Sequence, residues 1–203
     1  MIIGVINYGS GNFLSVWNAL ERISSKISNI QNPSELKKCS HLILPGVGSF
    51  GHAMAKLKEL NIIEALQEEL LINKKNFLGI CVGMQVLATE GHEMGVFKGL
   101  DLINGKVNLL QADLPNGILP HMGWNELTGM DNSPLFKNIE YDATFYFVHS
   151  YHLVCSENVK AVKSFYGQEF NAAISKDNIH GVQFHPEKSQ LNGLKLLKNF
   201  LDL

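Results

Sequence analysis

Cys81 lies in the run Gly79-Ile80-Cys81-Val82-Gly83-Met84-Gln85, with a glycine two residues before it and another two residues after. An apolar run from Phe77 to Ile80 leads in, and a helical pattern from Val82 to Ala88 leads out. That is the layout of a nucleophile elbow, where the reactive side chain stands on a sharp strand-to-helix turn. Neither glycine has a Cβ to block the turn or the close approach of helix to strand, so Cys81 can hold a strained, exposed position. The helix start behind it favours thiolate, the reactive form of cysteine. The N–H groups that follow, beginning with Val82, are natural oxyanion donors. A buried structural cysteine in a glycine-rich turn is the plainer reading, and the paired glycines weigh against it.

Such a nucleophile needs a base and a group that orients the base. Gly181-Val182-Gln183-Phe184-His185-Pro186-Glu187 offers both. On extended backbone, residues two apart point the same way, so Glu187 is expected to orient the His185 imidazole while His185 serves Cys81. The chain has eight histidines. His185 stands out because it follows a predicted strand and brings its own carboxylate; His41, His52, His92, His152 and His180 read as surface or core residues. A third segment is Leu44-Pro45-Gly46-Val47-Gly48-Ser49-Phe50. The N–H groups of Gly46, Val47 and Gly48, directly after a strand, can face a developing oxyanion. Phosphate binding is the rival use, but no Lys-Ser/Thr pair follows and no third glycine completes a dinucleotide pattern. Ligands gather at the carboxyl ends of strands in such sheets, where Cys81 is also expected.

The elements that must position these residues follow from hydrophobic periodicity. Ile2 to Ile6 reads as a buried strand, and Phe13, Val16, Trp17, Leu20 and Ile23 recur at helical spacing. Ile27 to Ile30 is a second strand, followed by a short helix opened by Ser34. His41 to Leu44 is a third, broken by Pro45-Gly46. Helices over Phe50 to Leu60 and Ile62 to Ile72 precede the Phe77 to Ile80 strand. This alternation implies an α/β fold, with a mostly parallel central sheet flanked by helices. From Lys106 onward the pattern turns β-rich, with turns at Pro115-Asn116-Gly117 and Tyr166-Gly167, an edge extension ending at Gly181–Phe184. A last helix, Leu191 to Leu203, carries Leu194, Leu197 and Leu201 on one face, with Ser189 as its N-cap.

At 203 residues, without repeats or linkers, the chain is expected to be a single domain over 1–203. A net charge of −2 gives no reason to expect nucleic acid or an anionic membrane as partner. Three cysteines, Cys39, Cys81 and Cys155, are too few and too scattered for a disulfide framework or a zinc site, so no metal and no cofactor are expected. The start, MIIGVINYG, lacks a basic region and has six residues before its polar turn, unlike a signal peptide. No apolar run approaches the ~20 residues of a membrane span. A cytoplasmic location is expected.

Taken together, the Cys81 segment and His185-Pro186-Glu187 resemble the class I (triad) glutamine amidotransferases, an α/β, flavodoxin-like fold. Pro45-Gly46-Val47-Gly48 is similar to one branch of that family, the glutaminase subunits of imidazole glycerol phosphate synthase, where most of the class resembles Gly-Gly-Pro. Three more segments carry the same likeness: Tyr8-Gly9-Ser10-Gly11-Asn12, Pro120-His121-Met122-Gly123-Trp124-Asn125, and Phe145-Tyr146-Phe147-Val148-His149-Ser150-Tyr151. The resemblance covers essentially the whole chain. Asn7, Asp101 and Gln190 depart from its pattern, where Asp, Gly and Gly are usual, and none touches the triad.

The resemblance implies that Cys81 forms a glutamyl thioester with His185 and Glu187 completing the triad, and that Gln85 and the His149-Ser150-Tyr151 backbone hold L-glutamine. Read from the residues alone, Phe145 to Val148 is a core strand and His149 has no assignment. Asn12, Trp124, Asn125, Tyr146 and Lys188 would face a (β/α)8-barrel synthase (cyclase) subunit in a heterodimer, although core packing is an equal reading of Trp124 and Tyr146. A chain of 203 residues leaves no room for an acceptor-binding domain, which also points to a separate synthase. Ammonia in bulk solvent becomes ammonium, a poor nucleophile, so it must pass through the interface. The acceptor could instead be an acetamido sugar, converted to its acetamidino form by paralogues in surface-polysaccharide pathways. A cysteine hydrolase or peptidase on the same elbow is a rival of another class. A non-catalytic regulatory subunit leaves the triad without a use.

Overall fold

The computed structural model describes residues 1–24, 26–111 and 118–203. The first half alternates β1 (Ile3–Ile6), α1 (Phe13–Glu21), β2 (Ile27–Ile30), α2 (Pro33–Leu36), β3 (His41–Gly46), α3 (Phe50–Glu59), α4 (Ile63–Leu71), β4 (Asn76–Cys81) and α5 (Val82–Gln85). The second half is mostly β: β5 (Ala88–Gly91), β6 (Phe97–Lys98), β7 (Ile103–Leu109), β8 (His121–Glu126), β9 (Thr144–His149), β10 (Tyr151–Cys155), β11 (Lys160–Tyr166), β12 (Gln168–Lys176) and β13 (Ile179–Val182), closed by α6 (Gln190–Leu201).

One seven-stranded sheet carries the fold, in the order β11-β12-β13-β4-β3-β1-β2. From β13 to β2 neighbouring strands run parallel, and β11 and β12 add an antiparallel edge. Every residue of β1 and β3 is buried, the signature of strands covered on both faces. Helices cover them with apolar stripes: Val16, Ala19 and Leu20 from α1, Leu66 and Leu70 from α4, and Leu196, Leu197, Phe200 and Leu201 from α6. The β11–β12 hairpin extends the edge, its Gly167 turning at φ +72°, but the segment expected to end that extension, Gly181–Phe184, instead starts in β13, a parallel strand inside the sheet between β12 and β4. The β-rich half also builds two sheets of its own, β10-β7-β5-β6 and the β8-β9 ribbon.

Three further expectations need correction. Pro45-Gly46 does not break its strand; β3 runs through both residues. Pairing with β1 stops at Val5 and Ile43, whereas pairing with β4 continues to Gly46 and Cys81. Pro45 therefore lies where only one flank is paired, and its missing N–H costs no ladder bond. The helix expected from Val82 to Ala88 is one turn long, and Ala88 already belongs to β5. The carbonyls of Val86, Leu87, Ala88 and Thr89 accept from the N–H groups of residues 99–103, so tertiary hydrogen bonds replace the helical ones. Ser189 sits at the N-terminus of α6, but its hydroxyl does not cap it; it donates to the His185 carbonyl at 2.7 Å and accepts from the Tyr146 N–H at 3.0 Å. The expected Pro115-Asn116-Gly117 turn falls outside the described residues.

Candidate active site

β3, β4 and β13 lie side by side, and their carboxyl ends deliver Gly46, Cys81 and, three residues past Val182, His185. Cys81 has φ +54° and ψ −108°, a strained conformation for a residue with a side chain. The two glycines make the turn feasible: a Cβ on Gly79 would run into the Gly83 backbone, and one on Gly83 into the Leu44 carbonyl. The elbow read from the sequence is therefore present, although the helix behind it is short.

His185 and Glu187 have fully buried side chains, with Nδ1 2.8 Å from the Glu187 Oε1. The geometry differs from the expected one. His185 is extended, but Glu187 sits on a 3-10 turn over Pro186–Lys188, which folds the carboxylate back to the ring. Nε2 has no hydrogen-bond partner among the described residues. Burial opposes charge on this imidazole, but Cys81 and Glu187 outweigh it and hold the ring's pKa up to about 10. An imidazolium beside sulfur is the setting in which a cysteine reacts as thiolate.

A cavity of about 400 Å³ opens above Cys81. Its wall includes Cys81, Val82, Val47 and Gly48, together with all four residues expected to hold glutamine, Gln85, His149, Ser150 and Tyr151. The Gln85 amide is already committed: its Nε2 donates to the Tyr151 carbonyl at 2.8 Å and to the Gln183 Oε1 at 3.1 Å. Gln183 in turn donates to the Cys81 Sγ at 3.6 Å. The Val47 N–H is also engaged, donating to the Ser10 Oγ at 3.2 Å rather than facing the cavity, which departs from the expected oxyanion role. Gly46 is the last residue of β3, paired with Cys81, and the wall begins at Val47.

The residues expected at a partner face divide into two sets. Trp124 is 46% exposed and packs edge-on against Tyr146 across the β8–β9 ribbon, with ring centroids 6.0 Å apart. The Lys188 Nζ lies 5.7 Å from the Tyr146 ring centroid. Tyr146 also reaches the triad, since its carbonyl accepts from the His185 N–H at 2.8 Å. Asn12, by contrast, is buried. Its Nδ2 donates to the Glu187 Oε1 at 3.0 Å, and its Oδ1 accepts from the Ser10 hydroxyl at 2.5 Å. Asn125 gives its amide to the Phe165 carbonyl and to His121.

Sequence reasoning missed Glu93, the one carboxylate among the lining residues. Its Oε2 accepts from the Phe50 N–H at 2.8 Å, which fixes it at the start of α3. Nothing in the spacing around it flags a role; only the fold brings it to the cavity that Cys81 lines. A substrate with an α-ammonium group would find its counter-charge here. Glu93→Gln is expected to raise the KM for glutamine roughly tenfold or more, the loss of about 1.5–3 kcal/mol for a hydrogen bond to a charged group, with little change in kcat. Steady-state kinetics over a wide glutamine range check this.

Among the described residues no group of three His, Cys, Asp or Glu side chains could hold a metal ion, and no helix is long and apolar enough to cross a membrane.

Comparison with known proteins identifies the family. The family model described as Glutamine amidotransferase class-I matches residues 5–203. The chain is 48% identical over 202 residues to imidazole glycerol phosphate synthase subunit HisH 1 of Campylobacter jejuni strain RM1221, covering 100% of both chains. It is 46% identical over 205 residues to the HisH subunit of Methanothermobacter thermautotrophicus, covering 100% of this chain and 98% of the relative. The HisH subunit of Leptospira interrogans is 42% identical over 205 residues, with 100% of both covered. Among solved structures, PurLQS from Thermotoga maritima superposes with TM-score 0.76 at 19% identity, covering 98% of this chain and 97% of that one. A crystal structure of a glutamine amidotransferase gives TM-score 0.76 at 17% identity, covering 100% and 98%. At those identities the likeness is one of fold.

Proposed function

The chain belongs to the class-I glutamine amidotransferase family, and from that premise we propose that it is the glutamine-hydrolysing subunit of an imidazole glycerol phosphate synthase in histidine biosynthesis. The observation that carries the reaction is the His185–Glu187 pair, 2.8 Å apart and wholly buried, beside a cysteine held at φ +54° on the wall of a cavity. The pathway rests on relatives of that name, 42–48% identical across the whole chain.

The Cys81 thiolate attacks the carboxamide carbon of L-glutamine. The resulting oxyanion takes the Val82 N–H and, once the loop turns, an N–H of the Gly46–Gly48 segment. His185 hands its proton to the leaving nitrogen, so ammonia departs and a glutamyl thioester remains. Water, deprotonated by His185, then attacks the thioester and releases glutamate and the thiolate. Glu187 keeps the imidazole aimed and balances its charge throughout. Gln85, His149, Ser150 and Tyr151 shape the pocket for the glutamine side chain, and Glu93 meets its ammonium group.

The chain works as one domain over residues 1–203, in the cytoplasm, and needs no cofactor. Its partner is a (β/α)8-barrel cyclase subunit docked over Trp124, Tyr146 and Lys188, with Asn12 and Asn125 just behind them. Ammonia crosses that interface to the acceptor. The test is reconstitution: the purified chain, a barrel cyclase subunit, glutamine and the ribonucleotide acceptor should yield imidazole glycerol phosphate and the aminoimidazole carboxamide ribonucleotide. Glutamine turnover that feeds only an acetamido sugar would move the chain to the surface-polysaccharide branch. Turnover of peptides or esters in place of glutamine would overturn the reading altogether.

A further inference from the structure

His121 is not used by the mechanism above, yet it is 3% exposed and lies between two rings, 4.2 Å from Tyr166 and 4.8 Å from Phe147, nearly parallel to both. Its Nδ1 is 3.0 Å from the His149 Nε2, and its Nε2 is 3.2 Å from the Asn125 Nδ2. The His149 Nδ1 is 3.0 Å from the Tyr151 carbonyl.

The proton positions along this row are determined by the partners. A carbonyl only accepts, so the His149 Nδ1 carries a hydrogen. Burial holds the pKa of His149 down to about 3 and that of His121 to about 4, so both rings are neutral, with one N–H each. The His149 Nε2 is then an acceptor, and the His121 Nδ1 must donate to it. That leaves the His121 Nε2 as an acceptor, matched by the Asn125 amide nitrogen. The Asn125 nitrogen also donates to the Phe165 carbonyl at 2.9 Å, which excludes the flipped amide. Three hydrogen bonds thus point one way, from the β8–β9 ribbon to the Tyr151 carbonyl. The same carbonyl takes the Gln85 amide, which leads through Gln183 to the Cys81 sulfur.

We propose that His121 is a positioning residue for the glutamine pocket, its Nδ1–H locking His149 in one tautomer and so fixing the Tyr151 carbonyl and Gln85 that form the pocket wall. The inference rests on the cavity being the glutamine site. Without the His121 donor, the His149 Nε2 is a buried acceptor with no partner. The ring can escape that penalty only by moving its hydrogen to Nε2, which turns a lone pair toward the Tyr151 carbonyl. Either outcome displaces the wall.

Two substitutions separate this role from simple packing. His121→Phe keeps the ring stack and loses the hydrogen bonds; it should lower Tm by a few degrees, the cost of the unpaired His149 acceptor, and raise the KM for glutamine about tenfold, with kcat within about twofold. His121→Asn loses the stack but places an amide N–H near the former Nδ1; it should lower Tm further and keep KM close to that of the unsubstituted chain. The measurement is glutamine kinetics with the partner subunit bound, beside thermal melts. A KM that follows Tm, or His121→Phe with unchanged KM, overturns the proposal. Nitrogen NMR of the imidazoles gives a reading independent of turnover: His149 and His121 should each carry hydrogen on Nδ1 alone between pH 6 and 8. Hydrogen on the His149 Nε2 overturns the lock even if glutamine is the substrate. Should the complex fail to hydrolyse glutamine at all, the functional reading falls while the NMR result still decides the tautomers.

Discussion

Cys81→Ser is expected to abolish synthesis from glutamine while leaving synthesis from added ammonium salt intact in the complex with the partner subunit. The division follows from what the sulfur touches. Cys81 lies on the wall of its own cavity, where Gln183 donates to its sulfur, and its proposed work is confined to glutamine and the glutamyl thioester. A serine hydroxyl in its place is a far weaker nucleophile than a thiolate and gains little from an imidazolium neighbour. His185→Ala should cost several orders of magnitude in glutaminase rate, as removal of a triad base does elsewhere. Glu187→Gln should cost less, because an amide oxygen can still accept from the imidazole Nδ1–H even though the charge that supports imidazolium is gone. The other two cysteines serve as controls. Burial pushes the Cys39 thiol above its ordinary pKa and that of Cys155 up to about 11, so neither is a ready thiolate. Cys39→Ser and Cys155→Ser should be nearly neutral in rate. Parallel assays with glutamine and with ammonium salt decide the matter; if Cys81→Ser also stops ammonium-dependent synthesis in an intact complex, the sulfur does more than hydrolyse glutamine.

The α/β alternation was legible because β1, β3 and β4 are short apolar runs next to helical stripes, and they are buried almost throughout. What was not legible depended on contacts between distant segments. No local pattern announces that the carbonyls after Gln85 will be claimed by residues 99–103, or that Pro45 will sit where its missing N–H is harmless. The site divides similarly. Cys81 was marked by its two glycines and His185 by its nearby carboxylate, both local signals. Glu93 and Gln183 reach the site only through the fold: one is brought to the cavity wall from between β5 and β6, and the other is a core-facing polar residue that looks like part of a strand until its amide is seen on Sγ. His185 and Glu187 do meet, but through the 3-10 turn at Pro186–Lys188 rather than along extended backbone.

The isolated chain is expected to hydrolyse glutamine slowly, and binding of the partner with its acceptor should raise the rate by about 10²–10³, the usual worth of one oxyanion donor. The physical basis is the bond from the Val47 N–H to the Ser10 Oγ. The Ser10 hydrogen goes to the Asn12 Oδ1, and the Asn12 amide goes to the Glu187 Oε1, so the loop is tied to the triad carboxylate through two side chains. In this arrangement the loop's donor is committed away from the cavity that Val47 lines. The two glycines beside it are not equivalent. A Cβ on Gly46 would lie 2.8 Å from the Tyr8 hydroxyl and 2.7 Å from the Gly83 nitrogen, so that residue is clamped, whereas Gly48 has φ +96° and open space around its Cβ position. The hinge is therefore on the Gly48 side, and the side chain of Val47 limits which rotations are open. Ser10→Ala removes the acceptor that holds the N–H. A net worth of about 0.5–1.5 kcal/mol for that hydrogen bond predicts a basal rate higher by roughly 2- to 10-fold, with the stimulation by partner smaller by a similar factor. Val47→Pro deletes the N–H itself, leaving Val82 as the remaining donor; basal hydrolysis should stay low and the partner should no longer raise it. Glutaminase rates of these two variants and the unsubstituted chain, alone and with partner plus an acceptor analogue, form the test. A lone chain at full speed, or Val47→Pro still stimulated several hundredfold, would show that the oxyanion is held by other groups and that the Ser10 bond restrains nothing.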